Sequence, residues 1–217
     1  DSMQVYRGLP IITDQPSAAE MGGVAHHLVG VVELSEQFSA ARFARDASAI
    51  IDDVAGRGRL PLLVGGTGLY NRALLGGFTF AAQGGEESRR DFEELVRRDG
   101  IEAGLEELKR LDPQSAAIID TRNPRRLIRA LEAASAAGHT IAAERERLWS
   151  PESPYRLLSF GLFMPREELD RLIDARVERM LAAGALEEVR RARAGLVSPT
   201  AAQAIGYREL CACLDGE

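Results

Sequence analysis

The stretch that most restricts the fold is Leu60-Pro61-Leu62-Leu63-Val64, which runs straight into Gly65-Gly66-Thr67-Gly68 and then into Leu69 to Leu75 at helical spacing. A continuous apolar run of this length is the pattern of a strand buried on both faces of a parallel sheet. The glycines turn the chain, and the amino end of the following helix, with its unpaired N–H groups and its dipole, would point above the carboxyl edge of that sheet. Strand, glycine turn and helix predict an α/β core. The joint reads equally as an anion-favouring turn or as a turn whose glycines only relieve strain. No lysine follows the glycines, so it is not a nucleotide-binding loop of the GxxxxGK[ST] form.

A second apolar run, Leu157 to Phe163, repeats the buried-strand pattern, and Arg166 to Ala183 repeats the helix. Ser39 to Val54 has apolar residues at helical spacing, Leu28 to Val32 is a shorter apolar run, and Ala201 to Cys213 reads as helical with a break at Gly206. Between these lies a different texture. Gly84 and Gly85 mark a loop, and charged amphipathic helices are predicted at about Glu86 to Arg98, Ile101 to Leu111, Pro113 to Ile119 and Arg125 to Ala137. Ser150 to Pro154, with two prolines, reads as the linker back. The expected organisation is a discontinuous α/β core over residues 1–78 and 155–217, interrupted by a helical insertion at 79–154.

A chain of 217 residues, 45% hydrophobic, can bury the core of one large domain or of one domain with an insertion. No uninterrupted apolar run approaches the roughly 18 residues of a membrane-spanning helix, and the first residues lack a signal-peptide pattern, so the expectation is a cytoplasmic protein with no membrane partner. Cys211 and Cys213 are too close for an ordinary disulfide and read as reduced thiols. His26 and His27 have no cysteine or acidic partner at ligand spacing, and no metal-ligating residues are assigned. The net charge of -6 argues against nucleic-acid binding by bulk charge. Clustering matters more, however, and Arg122, Arg125, Arg126 and Arg129 form a basic edge suited to phosphates. Arg208 beside Tyr207 adds a cation next to an aromatic ring that could stack on a base. Asp1 could act as a general base or be an exposed terminal acid. Arg176 sits where Asp170, Asp174 and Glu178 could pair with it along a helix surface.

Taken in order, DSMQVYRG, PSAAEMGGVAHHL, FARDA, GRLPLLVGGTGLY, NPRRLIRALE, DARVERMLAAGALEEV and AQAIGYRE resemble the tRNA dimethylallyltransferase (isopentenyltransferase) family across nearly the whole chain. The resemblance implies a P-loop NTPase-like parallel-sheet core interrupted by a helical, tRNA-binding insertion. It also implies transfer of a dimethylallyl group from dimethylallyl diphosphate to N6 of the adenosine 3' of the anticodon, in tRNAs reading codons that begin with U. Mg2+ would come bound mainly with the diphosphate, the partner would be the tRNA anticodon stem-loop, and a monomer is expected. By matching motif positions, Asp1, Thr67 and Arg176 are the implied catalytic residues, with Asp1 taking the N6 proton. Asp1, Ser2, Met3, Gln4, Gly65, Gly66 and Thr67 are implied to bind substrate. Arg125, Arg126, Leu127, Ile128 and Arg129, with Gln203, Ala204, Ile205, Gly206, Tyr207 and Arg208, are implied to contact tRNA.

Family members carry a GPTASGKT or GPTASGKS loop ahead of the DSMQ segment and an arginine-rich helical region after AIGYRE. Neither is in this sequence, which is therefore expected to be an internal fragment, truncated at both ends, with negligible turnover by itself. Where relatives read GTAKP this chain reads ITDQP, with Gln15 in place of the lysine; Ala25 stands where a proline usually precedes the paired histidines, and the insertion opens AAQGG. The alternatives are a non-catalytic RNA-binding remnant, a prenyltransferase acting on free adenine nucleotides, and a nucleotide kinase. The tRNA-clasping insertion counts against the second, and the GGTGLY, DARVERM and AIGYRE segments have no role in the third.

Overall fold

The computed structural model describes residues 1–76, 86–136, 140–142 and 153–217. The Gly84-Gly85 loop, the AAQGG segment and residues 150–152 of the expected linker lie outside them. Two units are distinguished, Asp1–Leu74 with Arg156–Glu217 as the first and Leu75–Tyr155 as the second.

In the second unit, helices form where local signals start and stop them. Helix α3 (Glu86–Leu111) is one assignment with a break inside, because Gly100 has φ 90° and ψ 173° and folds its two arms against each other. Two short helices follow, each opened by a capping side chain and a proline. Asp112 accepts the Ser115 N–H to start α4 (Pro113–Ile118), and Asn123 accepts the Arg125 N–H to start α5 (Pro124–Ser135). Their apolar faces meet α3 in a core of Leu108, Leu127, Ala130 and Leu131, flanked by Phe92, Val96 and Ile101. The approach is close: a Cβ on Gly104 would stand 2.9 Å from Val96 Cγ2 and 3.0 Å from Leu127 Cδ2, so glycine is needed there.

The first unit departs from expectation. The parallel-sheet core is absent: among the described residues the β-pairing recorded is one isolated parallel bridge, Tyr6 to Val32. Residues 60–67 and 156–165 are outside any helix or ladder, and most of their side chains face solvent, Leu62 at 77% and Phe163 at 92% exposure. Apolar content in these runs states a demand for burial, but a strand exists only where a neighbour supplies the matching carbonyls and N–H groups, and none pairs with these segments.

What the first unit buries instead is its opening segment, against helices. α1 (Ala40–Gly56) starts at Ser39, whose hydroxyl accepts the Arg42 N–H, and turns Ala40, Ala44 and Ala47 inward. Phe38, Phe43 and the Tyr70 ring of α2 (Gly68–Leu75) pack beside Val5, Tyr6, Val32 and Ala201. A second cluster joins Leu9 and Ile12 to Ala185, Val189 and Ala192 of α7 (Ala185–Arg193) and to Ala204 and Tyr207, the latter at the start of α8 (Tyr207–Asp215). The Tyr6 hydroxyl lies 2.6 Å from Thr200 Oγ1, binding the opening segment to the closing one. By contrast α6 (Arg166–Ala182) has no buried residue, and Leu169, Leu172, Ile173, Val177 and Leu181 form an exposed stripe along it. Among the described residues no helix is long and apolar enough to cross a membrane.

Candidate functional site

Asp1 caps the short 3-10 turn Ser2–Val5, its carboxylate accepting the Met3 N–H at 2.7 Å. An acid immediately before a tight turn is favoured there because it satisfies an N–H with no partner inside the turn. The turn is then held from two sides. The Val31 and Val32 N–H groups donate to the Val5 carbonyl at 2.8 and 3.0 Å, and the Gly30 N–H donates to the Gln4 carbonyl at 2.8 Å. On the other side Gln4 Nε2 donates to the carbonyls of Thr13 (3.2 Å) and Asp14 (2.5 Å), and Gln15 Nε2 donates to those of Gln4 (2.9 Å) and Tyr6 (2.7 Å). Gln15 thus serves the backbone of the Asp1 segment.

The glycine turn meets this segment. Thr67 Oγ1 donates to Ser2 Oγ at 3.2 Å, and a Cβ on Gly65 would stand 4.0 Å from the Asp1 nitrogen. Asn71, one turn into α2, donates to the Gly65 carbonyl at 3.3 Å and the Thr67 carbonyl accepts from Tyr70 and Asn71, so the turn is fastened to the helix it precedes. From α6 Arg176 reaches the same patch: its Nε is 3.3 Å from Asp14 Oδ2. Asp1, Ser2, Thr67 and Arg176, far apart in sequence, are therefore drawn into one patch. A carboxylate, two hydroxyls and a guanidinium in one patch can accept a proton on one side and receive an anion on the other.

The other candidates are dispersed. In the second unit Arg125 and Arg126 are exposed, Ile128 and Arg129 are half-buried, and Leu127 is fully buried in the core. The charge of this edge is partly offset, since Asp120 pairs with both Arg122 (2.9 Å) and Arg126 (3.1 Å). In the first unit Gln203, Ile205 and Arg208 are exposed on the turn into α8, where Gly206 adopts φ 89° ahead of the helix. Ala204 and Tyr207 face inward. Tyr207 is only 7% exposed, and burial raises its pKa.

Three participants are not among the candidate site residues named from the sequence. Asp14, whose φ of 53° is rare for a non-glycine residue, faces Arg176; Asn71 fastens the glycine turn; and Glu188 of α7 is buried beside the Leu9 cluster. For Glu188 the signal was available: it falls between Ala185, Val189 and Ala192 on the apolar face of its helix, and a carboxylate on such a face is the informative exception.

The family model described as IPP transferase matches residues 4–217. The chain is 44% identical over 220 residues to the tRNA dimethylallyltransferase of Thermomicrobium roseum, covering 100% of this chain and 66% of that protein. It is 40% identical over 218 residues to the tRNA dimethylallyltransferase of Halalkalibacterium halodurans, covering 100% and 69%. Among solved structures it is similar to the full-length tRNA isopentenylpyrophosphate transferase of Bacillus halodurans, with TM-score 0.65 and 40% identity over all of this chain and 67% of that one. It is also similar to a eukaryotic dimethylallyltransferase acting on tRNA, with TM-score 0.76 and 27% identity over all of this chain and 56% of that one. The chain thus spans about two thirds of the length of the curated relatives it matches.

Proposed function

This chain belongs to the IPP transferase family, and from that premise we propose that its first unit carries the acceptor-side and leaving-group-side residues of a tRNA dimethylallyltransferase. In the reaction the bond between the allylic carbon and the diphosphate oxygen breaks, and the electron pair leaves with the diphosphate. A new bond forms between that carbon and N6 of the adenosine 3' of the anticodon. The N6 proton passes to the Asp1 carboxylate, since the amine becomes more acidic as it is alkylated. Ser2, Met3 and Gln4 line the base. Gly65, Gly66 and Thr67, with Arg176, take the anionic leaving group, because fixed donors and a cation placed where negative charge develops lower the barrier without reorganising during the step.

The observation that carries this reading is the meeting of Thr67 with Ser2 at 3.2 Å, with Arg176 3.3 Å from the carboxylate of Asp14, whose carbonyl accepts Gln4 Nε2. Residues far apart in sequence converge where proton acceptance and anion binding must be adjacent. Magnesium, in this reading, would supply charge neutralisation to the diphosphate. Among the described residues no three His, Cys, Asp or Glu side chains converge on a cation position. The acceptor base is drawn out of its stack before it reacts. Arg125, Arg126, Gln203 and Arg208, all exposed, contact stem-loop phosphates, and the protein works as a monomer in the cytoplasm.

The test is mass spectrometry of an anticodon stem-loop incubated with dimethylallyl diphosphate, magnesium and the product of the gene encoding this chain. A five-carbon gain is expected only when adenosine stands 3' of the anticodon, and T67A or R176A is expected to lower kcat/KM by about 10²-fold. Stem-loop binding with no five-carbon gain would instead favour a non-catalytic RNA-binding protein.

A further inference from the structure

Glu188 lies on α7 at 3% exposure, within the cluster of Leu9, Ile12 and Val189. Packing alone does not ask for a carboxylate there, since an apolar side chain of similar volume would fill the space at no desolvation cost. What the carboxylate does is accept two consecutive backbone N–H groups, those of Ile11 at 2.8 Å and Ile12 at 2.9 Å. Those amides open a short helical turn, closed by the Thr13 N–H to the Leu9 carbonyl at 3.2 Å and the Gln15 N–H to the Pro10 carbonyl at 2.9 Å. Glu188 is thus a cap supplied from 176 residues away in sequence.

The far end of the same turn holds both sides of the site. Its Thr13 and Asp14 carbonyls accept Gln4 Nε2, which fixes the segment that begins at Asp1, and the Asp14 carboxylate faces Arg176 Nε at 3.3 Å. One rigid turn therefore sets where the acceptor-side segment lies relative to the leaving-group cation, and Glu188 anchors that turn. We propose that Glu188 is a positioning residue of the transferase, acting through the turn of residues 10–15 on Gln4 and Arg176; the inference rests on the transferase reading above.

The test compares E188Q with V189A in the product of the gene encoding this chain. Glutamine conserves volume but offers one accepting oxygen, so its amide group faces the second N–H. V189A removes packing from the fully buried neighbour and leaves the carboxylate in place. The readouts are melting temperature, kcat and KM for prenylation, and the fluorescence rise of a stem-loop carrying 2-aminopurine at the acceptor position, which reports the base leaving its stack. V189A is expected to melt earlier while keeping the fluorescence rise and kcat. E188Q is expected to bind the stem-loop within about twofold of wild type, to lose most of the fluorescence rise, and to lower kcat by about 10²-fold, the effect of an ångström-scale misplacement. Should E188Q fail to fold, E188D keeps the charge one methylene short and is expected to show the same split to a lesser degree. A full fluorescence rise and a kcat no lower than that of V189A in the folded Glu188 variant would overturn the inference alone. Absence of both the rise and prenylation in the wild-type protein would remove the transferase reading and this inference with it.

Discussion

The helical second unit and the two apolar runs of the first unit contain much the same residue types, yet they end in opposite environments. Leu108, Leu127 and Leu131 are fully buried, whereas Leu62, Leu158 and Phe163 are exposed. The difference lies in who supplies the partner. An amphipathic helix makes its own backbone hydrogen bonds and needs only another apolar face, which α3 and α5 give each other at the short range that Gly100 and Gly104 permit. An extended run depends on a neighbour for its hydrogen bonds as well as its packing, and no ladder forms along either run.

The largest expected effect tests the closed side of this comparison. L127A should destabilise the helical unit by about 3 kcal/mol, because it opens a cavity under α3 that close-packed neighbours fill only partly; chemical denaturation measures it. G104A comes next at about 1–3 kcal/mol, since the new methyl would press on Val96 and Leu127; a cost near zero would mean that the α3–α5 approach is looser than described. A smaller effect concerns Glu132 of α5, buried at 3% exposure. Burial raises its pKa, opposed by the charges of Arg89 and Arg129. The folded state therefore holds the proton more tightly than the unfolded chain. That contribution is complete below the ordinary carboxylate range and is lost as pH rises through the raised value. E132Q should flatten this part of the pH dependence in melts across the acid range. The smallest effect belongs to the open side: F160S and L162S should each change stability by no more than about 0.5 kcal/mol. A large loss from either would show that the exposed run is packed in solution and would dissolve the comparison.

The same contrast separates what could be read from the sequence from what could not. Asp112-Pro113 and Asn123-Pro124 announce helix starts, and Gly100 divides two periodic stretches; these signals are local, and so are the interactions they specify. Leu60 to Val64 and Leu157 to Phe163 were equally plain as apolar runs, but their outcome depended on pairing that no local pattern encodes. At the site, the order of motifs pointed to Asp1, Thr67 and Arg176, and the Ser2–Thr67 contact joins two of those segments. Glu188 carries no such local signal, because the Glu187-Glu188 pair passes for surface charge until α7 is phased. Tyr207 shows a related effect: it adjoins Arg208 in sequence, but consecutive helical residues point in different directions, so its ring is buried while Arg208 is exposed.

The hydroxyl contact between Tyr6 and Thr200 spans 194 residues, and that separation sets an order of events during synthesis. The helical unit is one continuous stretch of chain, so it can close while the ribosome is still translating. The first unit cannot, because Val5 and Tyr6 must wait for Ala201, and Leu9 for Val189 and Tyr207. At about 5–20 residues per second, the interval between the emergence of Tyr6 and that of Thr200 is roughly 10–40 seconds. Throughout that time the opening segment can pair with Gly30, Val31 and Val32, but its apolar side chains lack the neighbours that only the end of the chain supplies.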